Sequence, residues 1–165
     1  AIRIAQATNR RLIIAGNRSD SPDVDRYFKE EVEPHLSHKI TYIGAVDAIQ
    51  KDKLLGDAAA LLMPIEWDEP FGLVMAEALA CGTPVIGYAR GALPEIVADG
   101  STGACCHTLD ECIDAVRHVV HFPRQNCRDE AVRRFSAPTM VEQYITLYEK
   151  ILSEKASSRS PQPIT

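Results

Sequence analysis

The sequence predicts an α/β domain built on a doubly wound parallel sheet of about five strands flanked by helices. Two observations predict it. Short apolar runs alternate with segments of helical periodicity, which is typical of parallel strands joined by helices on both faces of a sheet. The composition, 45% hydrophobic and 25% charged over 165 residues, is that of an ordinary globular domain. Residues 1–155 carry the pattern, and the polar, Pro- and Ser-rich segment 156–165 is predicted to be a disordered tail.

The predicted elements follow one another in a regular order. The predicted strands are 11–17, 39–46, 59–65, 84–88 and 102–107. The predicted helices are 21–36, 47–58, 71–82, 93–99, 108–122, 123–135 and 137–155. The opening "AIRIA" is already apolar and has no capping residue before it, so we expect the sequence to begin inside a helix of a longer chain.

Capping residues justify the helix boundaries. Ser21 is expected to cap the second helix, with Pro22 in its first turn. Gly82 is expected to end the helix that starts near Phe71. Thr108 is expected to cap the helix that follows the last strand.

Charge and hydropathy exclude several functions. A formal net charge of -5 argues against a nucleic-acid partner, which selects basic surfaces. No apolar run approaches the roughly 20 residues that span a bilayer. The five cysteines lack a C-x-x-C pair and are interpreted as reduced thiols of a cytoplasmic protein. No cofactor or metal is expected.

Two patterns raise a metal site as an alternative. "CCHTLDEC" places His107 among cysteines, but its spacing matches no usual zinc arrangement. "DVD" provides Asp23 and Asp25, which resemble a metal-binding D-x-D motif. Both acids fall in the first turn of a helix, where carboxylates are favoured without a metal.

The loop "EWDEPFG" carries the candidate chemistry. It follows the third strand, and in a parallel sheet ligands bind outside the carboxyl ends of the strands. The next helix begins at about Phe71, so its first backbone N–H groups lack helical partners and favour phosphate or hydroxyl groups. Glu69 reaches the same crevice, and Glu77 lies inside the helix among apolar residues. A second interpretation stays open, in which Glu77 extends to solvent and Glu69 is an ordinary loop acid.

The string "EPFGLVMAEALACGTPVIGYARGALPEIVADGSTG" resembles the carboxyl-terminal domain of retaining nucleotide-sugar glycosyltransferases. This family is called group 1, or family 4, of the glycosyltransferases, and it includes glycogen and sucrose synthases. Its members have the GT-B fold, which consists of two Rossmann-like domains. The family's two glutamates with seven residues between them match Glu69 and Glu77. The similarity continues through "GALPEIV", "DGSTG" and "RFSAPTMVEQYITLYEKIL", so it covers nearly all of 1–155.

The resemblance implies roles for individual residues. Glu77 is expected to bind the ribose hydroxyls of the donor, and Glu69 to act in catalysis beside the transferred sugar. The backbone of Phe71, Gly72, Leu73 and Val74 is expected to hold the sugar hydroxyls and the diphosphate. The remaining donor contacts are expected at Val46, Lys51 and Gly16.

The resemblance also implies what this sequence lacks. The family's Arg and Lys for the diphosphate, its first strand and its acceptor-binding amino-terminal domain all lie upstream, so the fragment alone is expected to be inactive. Its exposed sheet edge and apolar surface make self-association an expectation. The location is expected to be cytoplasmic, and peripheral to the membrane if the acceptor is a lipid. Two alternatives stay open: a non-catalytic nucleotide-sugar binding module, and a nucleotide-sugar epimerase of similar two-domain shape.

Overall fold

The structure, a computed structural model, describes residues 1–158. The strands are Leu12–Ile14 (β1), Ile40–Tyr42 (β2), Leu61–Met63 (β3), Val85–Tyr88 (β4) and Gly103–Cys106 (β5). The α-helices are Ile2–Thr8 (α1), Pro22–Tyr27 (α2), Ala48–Asp57 (α3), Leu73–Ala80 (α4), Leu93–Ile96 (α5), Leu109–Arg117 (α6), Arg124–Phe135 (α7) and Ala137–Ser158 (α8). Residues 159–165 of the predicted tail lie outside the described residues, whereas its first residues continue α8.

Every described strand pairing is parallel, as predicted. The pairings form two sheets, β1–β2 and β3–β4–β5, where one continuous sheet was expected. The doubly wound order 3-2-1-4-5-6 counts a first strand that is missing from residues 1–158, so β1 to β5 correspond to its second to sixth strands. In that order the missing strand lies between β1 and β3, which is where the two sheets are divided. That a further strand occupies this position stays a prediction.

Strand β4 is covered by side chains on both faces. Val85 belongs to an apolar cluster formed with α4 and α7, whereas Ile86 belongs to a second cluster formed with α1 and α6. Neighbouring strand residues point to opposite faces, so the two clusters lie on opposite sides of the sheet. The helix layers on both faces confirm the predicted Rossmann-like α/β fold.

Helix boundaries depart from prediction in the segment 21–36. Helix α2 ends at Tyr27, and a π-helical turn, Phe28–Val32, and a 3₁₀ turn, Glu33–His35, continue it. Pro34 explains why regular α-helix does not extend through this segment, because proline has no N–H and clashes with the preceding turn. Ser21 occupies the cap position but its side chain makes no cap hydrogen bond, which corrects the predicted role.

The other predicted caps are present. The Thr108 hydroxyl accepts a hydrogen bond from the Glu111 N–H at 3.2 Å at the start of α6. Gly82 follows α4 with a φ of 73°, in the left-handed region that favours glycine. Within residues 1–158, no helix combines the length and apolar character needed to cross a bilayer.

Candidate functional site

The loop between β3 and α4 ends in a tight turn at Gly72. Its φ of 69° lies in the left-handed region. A Cβ on Gly72 would come within 3.1 Å of Glu69 Cγ and 2.7 Å of Met75 Cε. The bare Cα of Gly72 therefore lets the Glu69 side chain lie against the start of α4.

The first backbone N–H groups of α4 are available to a ligand. The Met75 N–H donates to the Gly72 carbonyl at 2.8 Å. Within residues 1–158, the N–H groups of Leu73 and Val74 donate to no protein acceptor. Together with the positive end of the helix dipole, they favour an anion or an electron-rich hydroxyl. Phe71 borders this opening and packs edge-on against Phe135, with ring centroids 6.0 Å apart.

Glu77 lies on the outer face of α4. Met75, Ala78 and Leu79 are buried, whereas Leu73, one turn before Glu77, is exposed. The Glu77 carboxylate pairs with Lys51 Nζ at 2.6 Å, and the two side chains are 39% and 40% exposed. The apolar residues around Glu77 in the sequence therefore do not enclose its charge, and its side chain extends toward solvent as in the second interpretation of the sequence.

Helix α3 positions Lys51 against α4. Asp47 begins the helix with reciprocal hydrogen bonds to Gln50, a capping box: the Gln50 N–H donates to Asp47 at 2.8 Å, and the Asp47 N–H donates to Gln50 at 3.0 Å. This cap fixes the helix start directly after Val46, which is half-buried. One turn later, Lys51 reaches Glu77, so two predicted donor-binding residues meet.

Glu69 is held through both its side chain and its main chain. Its Oε2 accepts a hydrogen bond from the Trp67 Nε1–H at 3.1 Å. Its carbonyl accepts one from the Ala92 N–H at 2.8 Å. A Cβ on Gly91 would come within 2.5 Å of the Glu69 main chain, so the loop after β4 packs directly on the loop that carries Glu69.

Gly16 lies at the end of β1, away from these contacts. Its N–H donates to the Gly44 carbonyl at 2.9 Å, and its carbonyl accepts from the Tyr42 hydroxyl at 2.8 Å. These hydrogen bonds join it to the end of β2 and not to α4. The structure therefore places Gly16 at the carboxyl ends of the strands, but its described contacts do not join it to the two glutamates.

Sequence reasoning assigned no role to Trp67 or to Gly91. Trp67 could have been found as the only tryptophan of the sequence, two residues before Glu69 in a strand-end loop. Gly91 gave no comparable signal, because its role depends on contact with a loop more than 20 residues earlier in the chain.

Neither of the two sequence patterns weighed as metal sites forms one within the described residues, and the acids of the D-x-D pattern have other partners. Asp23 pairs with Arg26 at 2.8 Å, and Asp25 pairs with Lys29 at 2.8 Å and with Arg18. The hydrogen bond from Lys29 and the charge of Arg18 lower the pKa of Asp25. Among residues 1–158, no three His, Cys, Asp or Glu residues cluster closely enough to hold a metal ion.

The cysteines lie within or beside the apolar clusters as free thiols. Cys106, Cys112 and Cys127 are buried, and Cys81 and Cys105 are partly so. Burial raises the pKa of the Cys105 and Cys127 thiols to about 11. The thiols are therefore protonated at neutral pH and serve as small apolar groups of the core.

Fold and site together define an α/β domain in which Glu69 and the first N–H groups of α4 follow the carboxyl end of a parallel strand, where nucleotide-type ligands bind in such sheets. The family of glycosyl transferases group 1 matches residues 1–134. The chain belongs to this family, and its fold is that of the Rossmann-like domains of GT-B glycosyltransferases.

Relatives and solved structures agree with this assignment. The chain is 30% identical, over 90% of its length, to D-inositol 3-phosphate glycosyltransferase of Mycobacterium tuberculosis, strain H37Ra, of which it covers 33%. It is 24% identical, over 95% of its length, to N-acetyl-alpha-D-glucosaminyl L-malate synthase of Bacillus anthracis, of which it covers 42%. The chain therefore spans less than half the length of these curated relatives.

Two solved structures show the same fold. AviGT4, a glycosyltransferase involved in avilamycin A biosynthesis, superposes with a TM-score of 0.69 at 28% identity, covering 92% of this chain and 46% of that one. HepE of Anabaena in complex with UDP superposes with a TM-score of 0.76 at 20% identity, covering 90% of this chain and 44% of that one.

Proposed function

We propose that this chain forms the donor-binding part of a glycosyltransferase that moves a sugar from a nucleotide sugar to an acceptor with retention of the anomeric configuration. The observation that carries the proposal is the arrangement around α4. Glu69 precedes the helix, Glu77 lies on its outer face, and the N–H groups of Leu73 and Val74 between them have no acceptor within residues 1–158. HepE has been solved with UDP and with UDP-glucose, which supports a nucleotide-sugar ligand by analogy of fold alone.

Glu77 binds the ribose in this proposal. Its partly exposed carboxylate can accept hydrogen bonds from two neighbouring hydroxyls while Lys51 keeps its charge balanced. Val46 and Lys51 then border the base, and Gly16 lines the far side of the crevice. The N–H groups at the start of α4 receive the sugar hydroxyls and the diphosphate.

Glu69 acts on the reacting centre. The bond between the anomeric carbon and the diphosphate oxygen breaks, and the electron pair leaves with the nucleoside diphosphate. A bond from the acceptor oxygen forms on the same face of the sugar, and the acceptor hydroxyl passes its proton to the departing diphosphate oxygen. A carboxylate beside the anomeric carbon stabilises the positive charge that develops there. No metal is assigned to this step.

The acceptor and the remaining diphosphate contacts belong to parts of the protein outside this sequence. The share of the relatives that the chain covers, 33–42%, leaves room for a second domain of similar size. We place the protein in the cytoplasm because its described cysteines are unpaired thiols, and at the membrane surface if the acceptor is a lipid.

Nucleotide binding to Glu77→Gln tests the proposal in the full-length protein. The charge-assisted hydrogen bonds to ribose contribute roughly 1.5–3 kcal/mol, so the affinity for the nucleoside diphosphate falls by about ten- to a hundredfold. Calorimetry measures the affinity, with Glu66→Gln as the control for removing a nearby loop charge. Unchanged affinity in Glu77→Gln would exclude the ribose role, and a large fall in melting temperature would make Glu77 a structural acid.

A further inference from the structure

The tryptophan beside the candidate catalytic acid is exposed. Trp67 is the only tryptophan of the sequence, and its side chain is 62% exposed. A tryptophan stabilises a fold chiefly through buried apolar area, and this one leaves most of its area in solvent. Packing therefore does not account for an indole at this position of the loop.

The polar end of the indole is directed at Glu69. Its Nε1–H donates to Glu69 Oε2 at 3.1 Å. Indole nitrogen is a donor only, so the Glu69 carboxyl oxygen is the acceptor of this hydrogen bond. A hydrogen bond to a charged acceptor is about twice as strong as a neutral one, which makes the contact effective even at a partly exposed site.

The main chain and the carboxylate of Glu69 are held by different partners. The Ala92 N–H and the close approach of Gly91 hold the backbone, and Gly72 provides space for Cγ. Within residues 1–158, the described hydrogen bonds to the Glu69 carboxylate come from the indole alone. Removing the indole N–H would thus free the carboxylate without displacing the loop.

We propose that Trp67 is a positioning residue, whose indole N–H orients the Glu69 carboxylate toward the start of α4. The inference rests on the proposed function, since it concerns the acid that acts on the sugar. Orientation of a catalytic group matters in the transition state, where a misplacement of about 1 Å can cost a hundredfold in rate. Trp67 therefore affects turnover and leaves donor affinity nearly unchanged.

The contact itself can be tested without activity. In the ¹⁵N-labelled full-length protein, the resonance of the Trp67 indole N–H is the one that Trp67→Phe removes. Glu69→Ala should shift this resonance, since it removes the acceptor, whereas Glu66→Ala, in the same loop, should leave it in place. A resonance that does not respond to Glu69→Ala would overturn the proposal.

Kinetics of the full-length enzyme test the consequence. Trp67→Phe keeps the ring and removes the N–H, and we expect kcat to fall about tenfold with the KM for the donor unchanged. Tyr27→Phe, which removes a hydroxyl from another exposed aromatic ring, is the control. In the double variant with Glu69→Ala, Trp67→Phe should cause no further loss, because the group that it orients is gone.

The outcomes separate the two proposals. If Glu69→Ala is slow while Trp67→Phe turns over normally, or if the two losses add in the double variant, the positioning role is wrong and the proposed function stands. If Glu69→Ala itself keeps normal turnover, the catalytic role of Glu69 is wrong and the positioning role is wrong with it. If Trp67→Phe lowers the melting temperature as well as kcat, Trp67 serves stability and the positioning role is wrong.

Discussion

At the scale of single residues, the charge of Glu77 is balanced by its partner Lys51. Glu77 interrupts an apolar helix sequence, yet it faces outward and pairs with Lys51. An ion pair that is about 40% exposed contributes at most about 1 kcal/mol, so stability alone does not explain the acid. A partly exposed carboxylate whose charge is balanced by Lys51 fits the ribose-binding role proposed above.

Arg124 has a different task, because its guanidinium joins three segments. It donates to four acceptors at the end of α3, the end of α4 and the start of β4. They are Gly56 O at 2.6 Å, Ala58 O at 2.8 Å, Thr83 Oγ1 at 3.0 Å and Cys81 O at 3.2 Å. The planar group thus satisfies carbonyls that end two helices, a geometry that lysine cannot reproduce.

We expect Arg124→Ala to lower the free energy of unfolding by about 1.5–3 kcal/mol, the usual contribution of hydrogen bonds from a charged donor. Arg124→Lys should recover only part of it. Denaturant unfolding measures the change, with Arg133→Ala as the control, since Arg133 is exposed and pairs with Glu130 on its own helix. Equal stabilities for Arg124→Ala and the Arg133 control would contradict the structural role of Arg124.

At the scale of elements, close strand packing depends on a glycine in β4. A Cβ on Gly87 would overlap the Met63 carbonyl of β3 and come within 2.6 Å of Leu93 Cδ1. Gly56, near the end of α3, has open space where its Cβ would be. The two glycines therefore predict opposite effects of the same substitution.

We expect Gly87→Ala to destabilise the domain by about 1–3 kcal/mol through overpacking. Gly56→Ala should stabilise it by up to about 1 kcal/mol, because alanine restricts the unfolded chain and favours helix. Thermal or denaturant unfolding of both variants measures the difference. A neutral Gly87→Ala variant would mean that β3 and β4 are less closely packed than described.

Much of the element order was predictable from the sequence, because apolar runs and caps are local signals. All five strands and their parallel direction were predicted, although each strand is shorter than its apolar run. The π-helical turn at Phe28–Val32 and the missing side-chain cap of Ser21 were not predicted. These depend on competition between neighbouring turns, which residue preferences describe poorly.

The part of the site that lies within one sequence motif was predictable, whereas contacts between segments distant in the sequence were not. Glu69, Gly72 and Glu77 follow one another in a single string, so their shared position at α4 could be inferred. The pairing of Lys51 with Glu77 and the packing of Gly91 on Glu69 depend on the tertiary arrangement of separate loops. The resemblance assigned Lys51 and Glu77 to one donor site without indicating that they pair, and no pattern in the sequence indicates the contact of Gly91 with Glu69.

The whole molecule exposes an apolar face on its longest helix, α8. The face covers about half of the helix circumference. Its eight side chains are each 41–67% exposed: Met140, Val141, Tyr144, Ile145, Leu147, Tyr148, Ile151 and Leu152. The opposite side of α8 carries Glu142, Glu149 and Lys150. This side is therefore not basic, whereas helices that bind anionic membranes have a basic polar side. Apolar area of this extent favours association in water.

We expect the isolated 165-residue chain to self-associate through α8, more strongly as its concentration rises. Light scattering over a range of concentrations measures the molar mass. Tyr148→Lys combined with Ile151→Lys should give a monomer, whereas Glu149→Lys on the opposite side should not. A strict monomer at high concentration, or association unaffected by the double variant, would show that this face does not join copies of the chain.

At the scale of the whole protein, Glu77 binds the donor and Glu69 acts on the sugar in the proposed function, and turnover of Glu69→Ala in the full-length protein separates these two roles. An interaction made mainly in the transition state affects kcat more than ground-state binding. We predict that kcat falls by about a hundredfold or more, as for the loss of one electrostatic stabiliser, while the KM for the donor changes far less. Near-normal turnover would show that Glu69 takes no part in the reaction and would leave a nucleotide-binding module in which only Glu77 has a role.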